Sequence, residues 1–232
     1  MKRWIVFGWC LGATWSLLAA GPAVAGMDLV LQAERRSYLL GEPVGVVVRA
    51  TNNANEVVVT DALLNPELGF LQVYIAEEGG EFRQYLGPGW GTRDVFMRPA
   101  PVLRGATFEI KINLLWNNDI VSNRRALKRA FAFPEVRCYQ IKAKAFLPGF
   151  DSESNTIEIC TTPPTGRDLA IWRSFVEEPE LARFVQRPEA DVPPAIRVRA
   201  ETVLRENASA PLARYLRDAI EERRAFDSRK VR

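Results

Sequence analysis

Cys138 and Cys160 are the residues whose type and spacing point most directly to a covalent event. The chain contains no His. Neither cysteine therefore has an imidazole to activate it, and a Cys-His dyad, a Ser-His-Asp triad and His-ligated zinc are all excluded. No Gly-x-Ser-x-Gly elbow marks a nucleophilic serine. What remains for the two cysteines is a bond to each other, which needs an oxidising compartment. No motif asks for a metal or a cofactor.

Four other groupings carry recognition chemistry rather than catalysis. Gly87-Pro88-Gly89-Trp90-Gly91 is a Gly-rich loop that can present Trp90 at its tip, with Gly89 and Gly91 freeing the backbone. Its alternative role is a Trp folded back over the end of a sheet. No Gly-Lys-Ser/Thr follows, so it is not a phosphate loop. Arg98-Pro99-Ala100-Pro101 lies just beyond and extends the same edge. Arg124, Arg125, Lys128 and Arg129 form a basic cluster, short of a strong basic patch. Asp151, Glu153 and Asn155 place three oxygen side chains at alternate positions, too few for a calcium site of six to eight ligands.

These groups need elements to position them. From about Met27 to Thr162 short β-branched runs alternate with turn residues, the pattern of an antiparallel sandwich. In the last two runs Tyr139, Ile141, Ala143 and Ala145 share one face, and Ile157 and Ile159 share another. A register slip of one residue would turn these outward. A hairpin centred near Gly149 therefore pairs Tyr139 with Ile159, Ile141 with Ile157 and Gln140 with Glu158. The same register sets Cys138 opposite Cys160, at a Cα separation of ~4.5–5.5 Å, within disulfide range. Tyr139 follows Phe133-Pro134-Glu135 and is either a tyrosine-corner residue bonded to an upstream carbonyl or a plain core tyrosine.

The pair Pro163-Pro164 ends the strands, and the pattern beyond it is helical. Thr165-x-x-Asp168 resembles a capping box with Asp in place of Glu. Leu169, Trp172 and Phe175 belong to a first helix, Leu181 and Phe184 to a second. Pro194 suits the first position of a third. Ser209 is placed to cap a fourth carrying Leu212, Tyr215, Leu216 and Ile220, with residues 227–232 frayed.

The first 25 residues stand apart. Lys2 and Arg3, an apolar run from Trp4 to about Ala20, and Ala23-Val24-Ala25 before Gly26 have the layout of a secretory signal peptide. The alternative is an N-terminal membrane anchor. The expected organisation is a signal peptide over 1–25, a sandwich over 26–162 and about four short helices over 163–232. Without residues 1–25 the formal charge falls from +3 to +1 and two of the three cysteines remain. Such a balance argues against nucleic acid as a partner, and no other apolar run is long enough to span a bilayer.

Tyr38-Leu39-Leu40-Gly41-Glu42-Pro43-Val44, Asn65-Pro66-Glu67-Leu68-Gly69-Phe70 and Glu81-Phe82-Arg83 carry a resemblance, continued by Phe133-Pro134-Glu135 with Tyr139 and by Ser154-Asn155-Thr156-Ile157. Over roughly residues 28–162 the chain resembles the immunoglobulin-like domain of exported bacterial proteins. The resemblance implies a β-sandwich in the periplasm or outside the cell, and it brings no catalytic residues. The expectation is a mainly β exported protein without enzymatic activity, acting on a protein partner. Two alternatives stand beside it: a protease inhibitor presenting loops 87–101, and a glycan-binding module stacking sugars on Trp90, Tyr74 and Tyr85.

Overall fold

The computed structural model describes residues 26–53, 58–59, 64–89, 101–118, 130–147 and 150–230. Residues 1–25, with the expected signal peptide, residues 90–100 and the basic cluster at 124–129 lie outside the described residues. β1 (Met27–Ala33), β2 (Ser37–Leu39) and β3 (Val44–Asn52) open the fold, followed by β4 (Val58–Val59) and a short 3-10 helix (Pro66–Leu68). Next come β5 (Leu71–Glu77), β6 (Arg83–Tyr85), β7 (Pro101–Val102) and β8 (Thr107–Leu114). β9 (Cys138–Leu147), β10 (Phe150–Glu153) and β11 (Ile157–Thr162) complete the strands.

Two sheets dominate. One has the order β1-β3-β8; the other runs β2-β11-β9-β5-β6, with β10 also on β9 and a parallel β11–β2 pair. A two-stranded β4–β7 ladder stands apart. Alternation explains how the two sheets stack. β1 buries Met27, Leu29 and Leu31 and exposes Asp28, Val30 and Gln32. Leu29, Val46 and Val48 from the first sheet share one core with Val73, Ile141 and Ile159 from the second. This is a β-rich two-layer body with helices appended.

The β9–β11 register is Tyr139↔Ile159, Gln140↔Glu158, Ile141↔Ile157 and Cys138↔Cys160. The hairpin is less simple than the expected single turn. β10 pairs with β9 from Phe150↔Leu147 to Glu153↔Lys144, and the register then shifts by one residue before β11. Ser154 sits at the shift. Its N–H donates to Ala143 O (2.9 Å), while its Oγ takes the place of a carbonyl and accepts from Ala143 N–H (2.9 Å). The extra residue re-aims the next side chain. Asn155 leaves the ladder and reaches β1 of the opposite sheet, accepting from Leu31 N–H (2.9 Å) and donating to Leu31 O (3.0 Å).

Four helices follow: α1 (Gly166–Glu177), α2 (Pro179–Gln186), α3 (Pro194–Glu206) and α4 (Ala213–Lys230). Pro179 and Pro194 start α2 and α3, where a missing N–H costs nothing. The helices bury Ile171, Phe175, Leu181, Phe184, Val203 and Leu216 in a second core. Leu115, Trp116, Ala130 and Phe131, from the connection between β8 and β9, belong to that same core. The sandwich thus supplies part of the helical core.

Three helix-end expectations are corrected. Thr165 precedes α1 but makes no side-chain cap. Asp168 instead accepts from Leu212 N–H (2.8 Å), tying α1 to the residue before α4. Ser209 caps nothing; its hydroxyl accepts from Arg167. The tail is helical to Lys230 because Asp227 has two cations to hold it, Arg197 and Arg223, each at 3.0 Å.

Candidate functional site

Cys138 and Cys160 are disulfide-bonded, with Cα atoms 3.9 Å apart. The separation is shorter than the opposed pairs expected from strand spacing. Cys160 N–H donates to Arg36 O on the β2 side, so the cysteines face each other at a site without mutual backbone bonds, where strands approach closest. Glu158 lies alongside, its carboxylate and both sulfurs within 4.8 Å of one another. With both sulfurs spent on the bond, this trio has no thiolate to offer a metal.

Tyr139 turns its hydroxyl back on Glu135. It donates to Glu135 O (2.9 Å) and accepts from Glu135 N–H (3.0 Å). Thr161 Oγ1 donates to the same carbonyl (2.7 Å), and the Tyr139 ring packs edge-on against Phe133 at 5.1 Å. Burial pushes the phenol pKa up. The residue is at once buried and the tie that closes the corner before β9.

Of the candidate loop, Gly89 is described and Trp90, Gly91 and Arg98 lie outside the described residues. Gly89 has φ +78°, and a Cβ there would overlap the Arg187 guanidinium. Arg187, just past α2, donates to Pro88 O (2.8 Å) and ion-pairs with Glu67 (2.8 Å) and Glu189 (3.0 Å). One foot of the loop is therefore pinned to the helical half.

The aromatic residues proposed for glycan stacking are separated by the fold. Tyr85 is 1% exposed. Its hydroxyl donates to Trp116 O (2.8 Å) and accepts from Gln186 Nε2 (2.6 Å). Burial drives its pKa far above the usual range for a phenol. Its ring is unavailable to a sugar, a correction to that reading. Tyr74 is half-buried on the outer face of the second sheet, with Lys144 Nζ 5.6 Å over its ring. On the same face, Glu153 is held by Lys142 (2.8 Å) and Lys144 (2.7 Å). Hydrogen bonds from these two lysines lower its pKa. With Asn155 bonded to β1, two of the three oxygen side chains of the acidic hairpin are engaged by the fold itself.

A polar cluster centred on Glu42 was not visible in the sequence. Glu42, 6% exposed in the turn before β3, accepts from Arg35 (2.5 Å), Leu39 N–H (2.9 Å), Arg214 (2.8 Å) and Tyr215 Oη (2.5 Å). Burial raises its pKa, but the donors from Tyr215, Arg35 and Leu39 outweigh burial and hold it below the usual carboxylate value. Tyr215 is pushed up to about 12 by burial and by the Glu42 carboxylate. Arg35 lies 4.5 Å from the Tyr38 ring centroid, and Arg214 4.5 Å from that of Tyr215. The cluster welds the β2–β3 turn to α4. Its partners stand 172 and 173 residues away, beyond any local pattern. Gln186 is a second such joint, accepting from Trp116 N–H (2.6 Å) and donating to Tyr85 and to Asn113 O (2.8 Å).

A cleft of about 310 Å³ runs beside the outer strand β6, between Glu77 and Arg83 on one side and Phe131 and Glu135 on the other. Arg137 bridges Glu77 and Glu135 near it. Among the described residues, no helix is long and apolar enough to cross a membrane.

No protein-family model matches the chain, and no curated protein does. Among solved structures, a β-glucosidase from Erythrobacter marinus is 17% identical at a TM-score of 0.34, over 59% of this chain and 15% of that one. The sporulation control protein of Bacillus subtilis is 6% identical at 0.34, over 66% and 56%. A CARDB domain from Pyrococcus furiosus, solved with di-metal ions, is 8% identical at 0.30, over 59% and 87%. The chain spans well under two thirds of the first two. Likenesses this distant carry no argument about fold or function.

Proposed function

We propose that the protein is an exported, non-enzymatic interaction or scaffold module built on an immunoglobulin-like sandwich. Strand order supports the fold assignment: β1, β3 and β8 correspond to strands A, B and E, and β5, β6, β9 and β11 to C, C′, F and G. Tyr139 holds the tyrosine-corner position at the start of strand F. The disulfide supports an oxidising compartment, and the pattern of residues 1–25 supports export.

The observation that carries the non-enzymatic reading is where the displaced titratable groups lie. Active sites gather such groups in one cleft. Among the described residues they are dispersed over five joints: Glu42 with its arginines and tyrosines, Tyr85, Tyr139, Glu153 with Lys144, and Asp227. Each sits at a contact that ties two parts of the chain together; burial displaces Tyr85 and Tyr139, and hydrogen-bond donors displace Glu42, Glu153 and Asp227. Assay of the purified protein against a panel of ester, peptide, glycoside and phosphate substrates is expected to give no turnover. Turnover that survives repurification would overturn the reading.

The grip of Arg187 on Pro88 favours a second reading, inhibition of a protease by loops 87–101, since an anchored loop loses less entropy on binding. Inhibition of extracellular proteases that is abolished by Trp90→Ala would support it; no inhibition by the wild type would end it.

A further inference from the structure

Charge is segregated along the chain. Residues 26–193 carry 19 Lys and Arg against 22 Asp and Glu, while residues 194–230 carry nine against six. The cationic excess therefore belongs to the α3–α4 hairpin. These helices run antiparallel, cross-linked by Arg197–Asp227 (3.0 Å) and Arg224–Glu201 (2.9 Å).

Between them lies a groove of about 380 Å³. Its apolar floor is built on Leu204 and Ile220. Around it α3 contributes positions 201, 204 and 205, the turn after it Ala208, and α4 contributes 217, 220, 221 and 224. That is i, i+3/i+4, i+7 spacing along α4, and along α3 into the turn that follows it, the ridge pattern against which a third helix packs. Val198, 64% exposed, lies on the same helix three residues before Glu201.

The rim has a sign. Glu201 is taken by Arg224. Arg205 makes no ion pair among the described residues, and Arg217 makes only a long bond to Ala208 O (3.3 Å). Against these two cations stands one carboxylate that makes no ion pair among the described residues, Glu221, so the rim is left with an unneutralised positive charge on an apolar floor.

We propose that this groove seats an amphipathic helix of a partner protein, one with aliphatic side chains inward and Asp or Glu on its flanks. The proposal rests on the interaction-module reading and names the partner's chemistry. The groove spans about two helical turns, so the contact is short and the expected Kd is on the order of 10 μM.

The test uses two labelled synthetic helices of about 18 residues, with leucines at i, i+3, i+4 and i+7 and with either Glu or Lys flanks. Fluorescence anisotropy with the purified protein is expected to show the Glu-flanked helix binding at least about tenfold more tightly. Leu204→Glu should abolish that binding. The double variant Arg205→Glu with Arg217→Glu, checked for an unchanged circular-dichroism melt, should reverse the preference in favour of the Lys-flanked helix. Equal binding of the two helices, binding of neither, or no reversal in the double variant would overturn the proposal. So would capture by phosphatidylglycerol vesicles that the Glu-flanked helix does not compete, which would assign the face to a lipid surface. Partner binding that persists undiminished in Leu204→Glu would sink the groove while leaving the interaction-module reading intact.

Discussion

A buried carboxylate with four donors, as at Glu42, is stable only while it stays ionised. Its folded pKa is depressed, so its contribution is present above the unfolded value near 4.3 and disappears as pH falls through the lower folded value. Glu42→Gln is expected to cost about 2 kcal/mol at pH 7, from bonds to a charged acceptor. That difference should begin to shrink below about pH 4, where the unfolded chain takes up the proton first, and vanish once pH falls below the lower folded value. Urea titrations of both proteins across pH 3–7 measure it; a constant difference would show that the charge is not what matters. Gly41 makes a separate residue-scale demand. Its φ is +90°, and a Cβ would come within 2.7 Å of Trp172 Cε3. Gly41→Ala should therefore cost about 1–3 kcal/mol, and near-ultraviolet circular dichroism should report the displaced indole. Neither demand could be read from Gly41-Glu42-Pro43, which looks like a turn and nothing more, because the residues that make it matter lie in α1 and α4.

At the scale of elements, the β9–β11 pair was legible because four apolar positions on one strand and two on the other admit a single register, and the cysteines followed from it. What alternation could not show was β10. A one-residue shift at Ser154 is invisible to a period-two pattern, since it occurs where a small polar residue fits either face. The cross-link closes a loop between residues 22 apart in sequence, which corresponds to about 3 kcal/mol of denatured-state entropy. The double variant Cys138→Ser, Cys160→Ser should lose about that much in equilibrium unfolding, and dithiothreitol should add no further loss to it. The start of α3 was legible from Pro194, but the bonds that cap the helices were not. Asp168 abandons the local cap for Leu212, 44 residues on. Asp168→Ala is accordingly expected to cost about 1.5 kcal/mol, and hydrogen exchange should show the faster opening at Leu212 and the start of α4 rather than in α1.

For the whole molecule, the Pro163-Pro164 boundary separates strand from helix, but the hydrophobic cores do not divide there. Leu115, Trp116 and Phe131 precede the boundary and are 3–4% exposed only because helices cover them. Residues 26–162 expressed alone should bind 1-anilinonaphthalene-8-sulfonate and self-associate on size exclusion. The full chain should melt in one transition with matching calorimetric and van't Hoff enthalpies. A soluble, dye-silent fragment would show that the second core is dispensable to the first. The division by residue type was thus readable from periodicity, whereas this shared core was not, because Leu115, Trp116 and Phe131 sit among sandwich residues and carry no helical spacing of their own.

Asn155 has a consequence for crowds of this molecule. A strand at the margin of a sheet offers its peptide groups to any neighbour that arrives with an extended segment. At Leu31 both the N–H and the C=O are already answered, by one carboxamide from the other layer. A visiting chain finds its hydrogen-bonding slot on β1 filled by an imitation of itself. The register shift that frees Asn155 thus protects the margin it touches, and Asn155→Ala should reveal this in concentrated solution as thioflavin-positive association that the wild type resists.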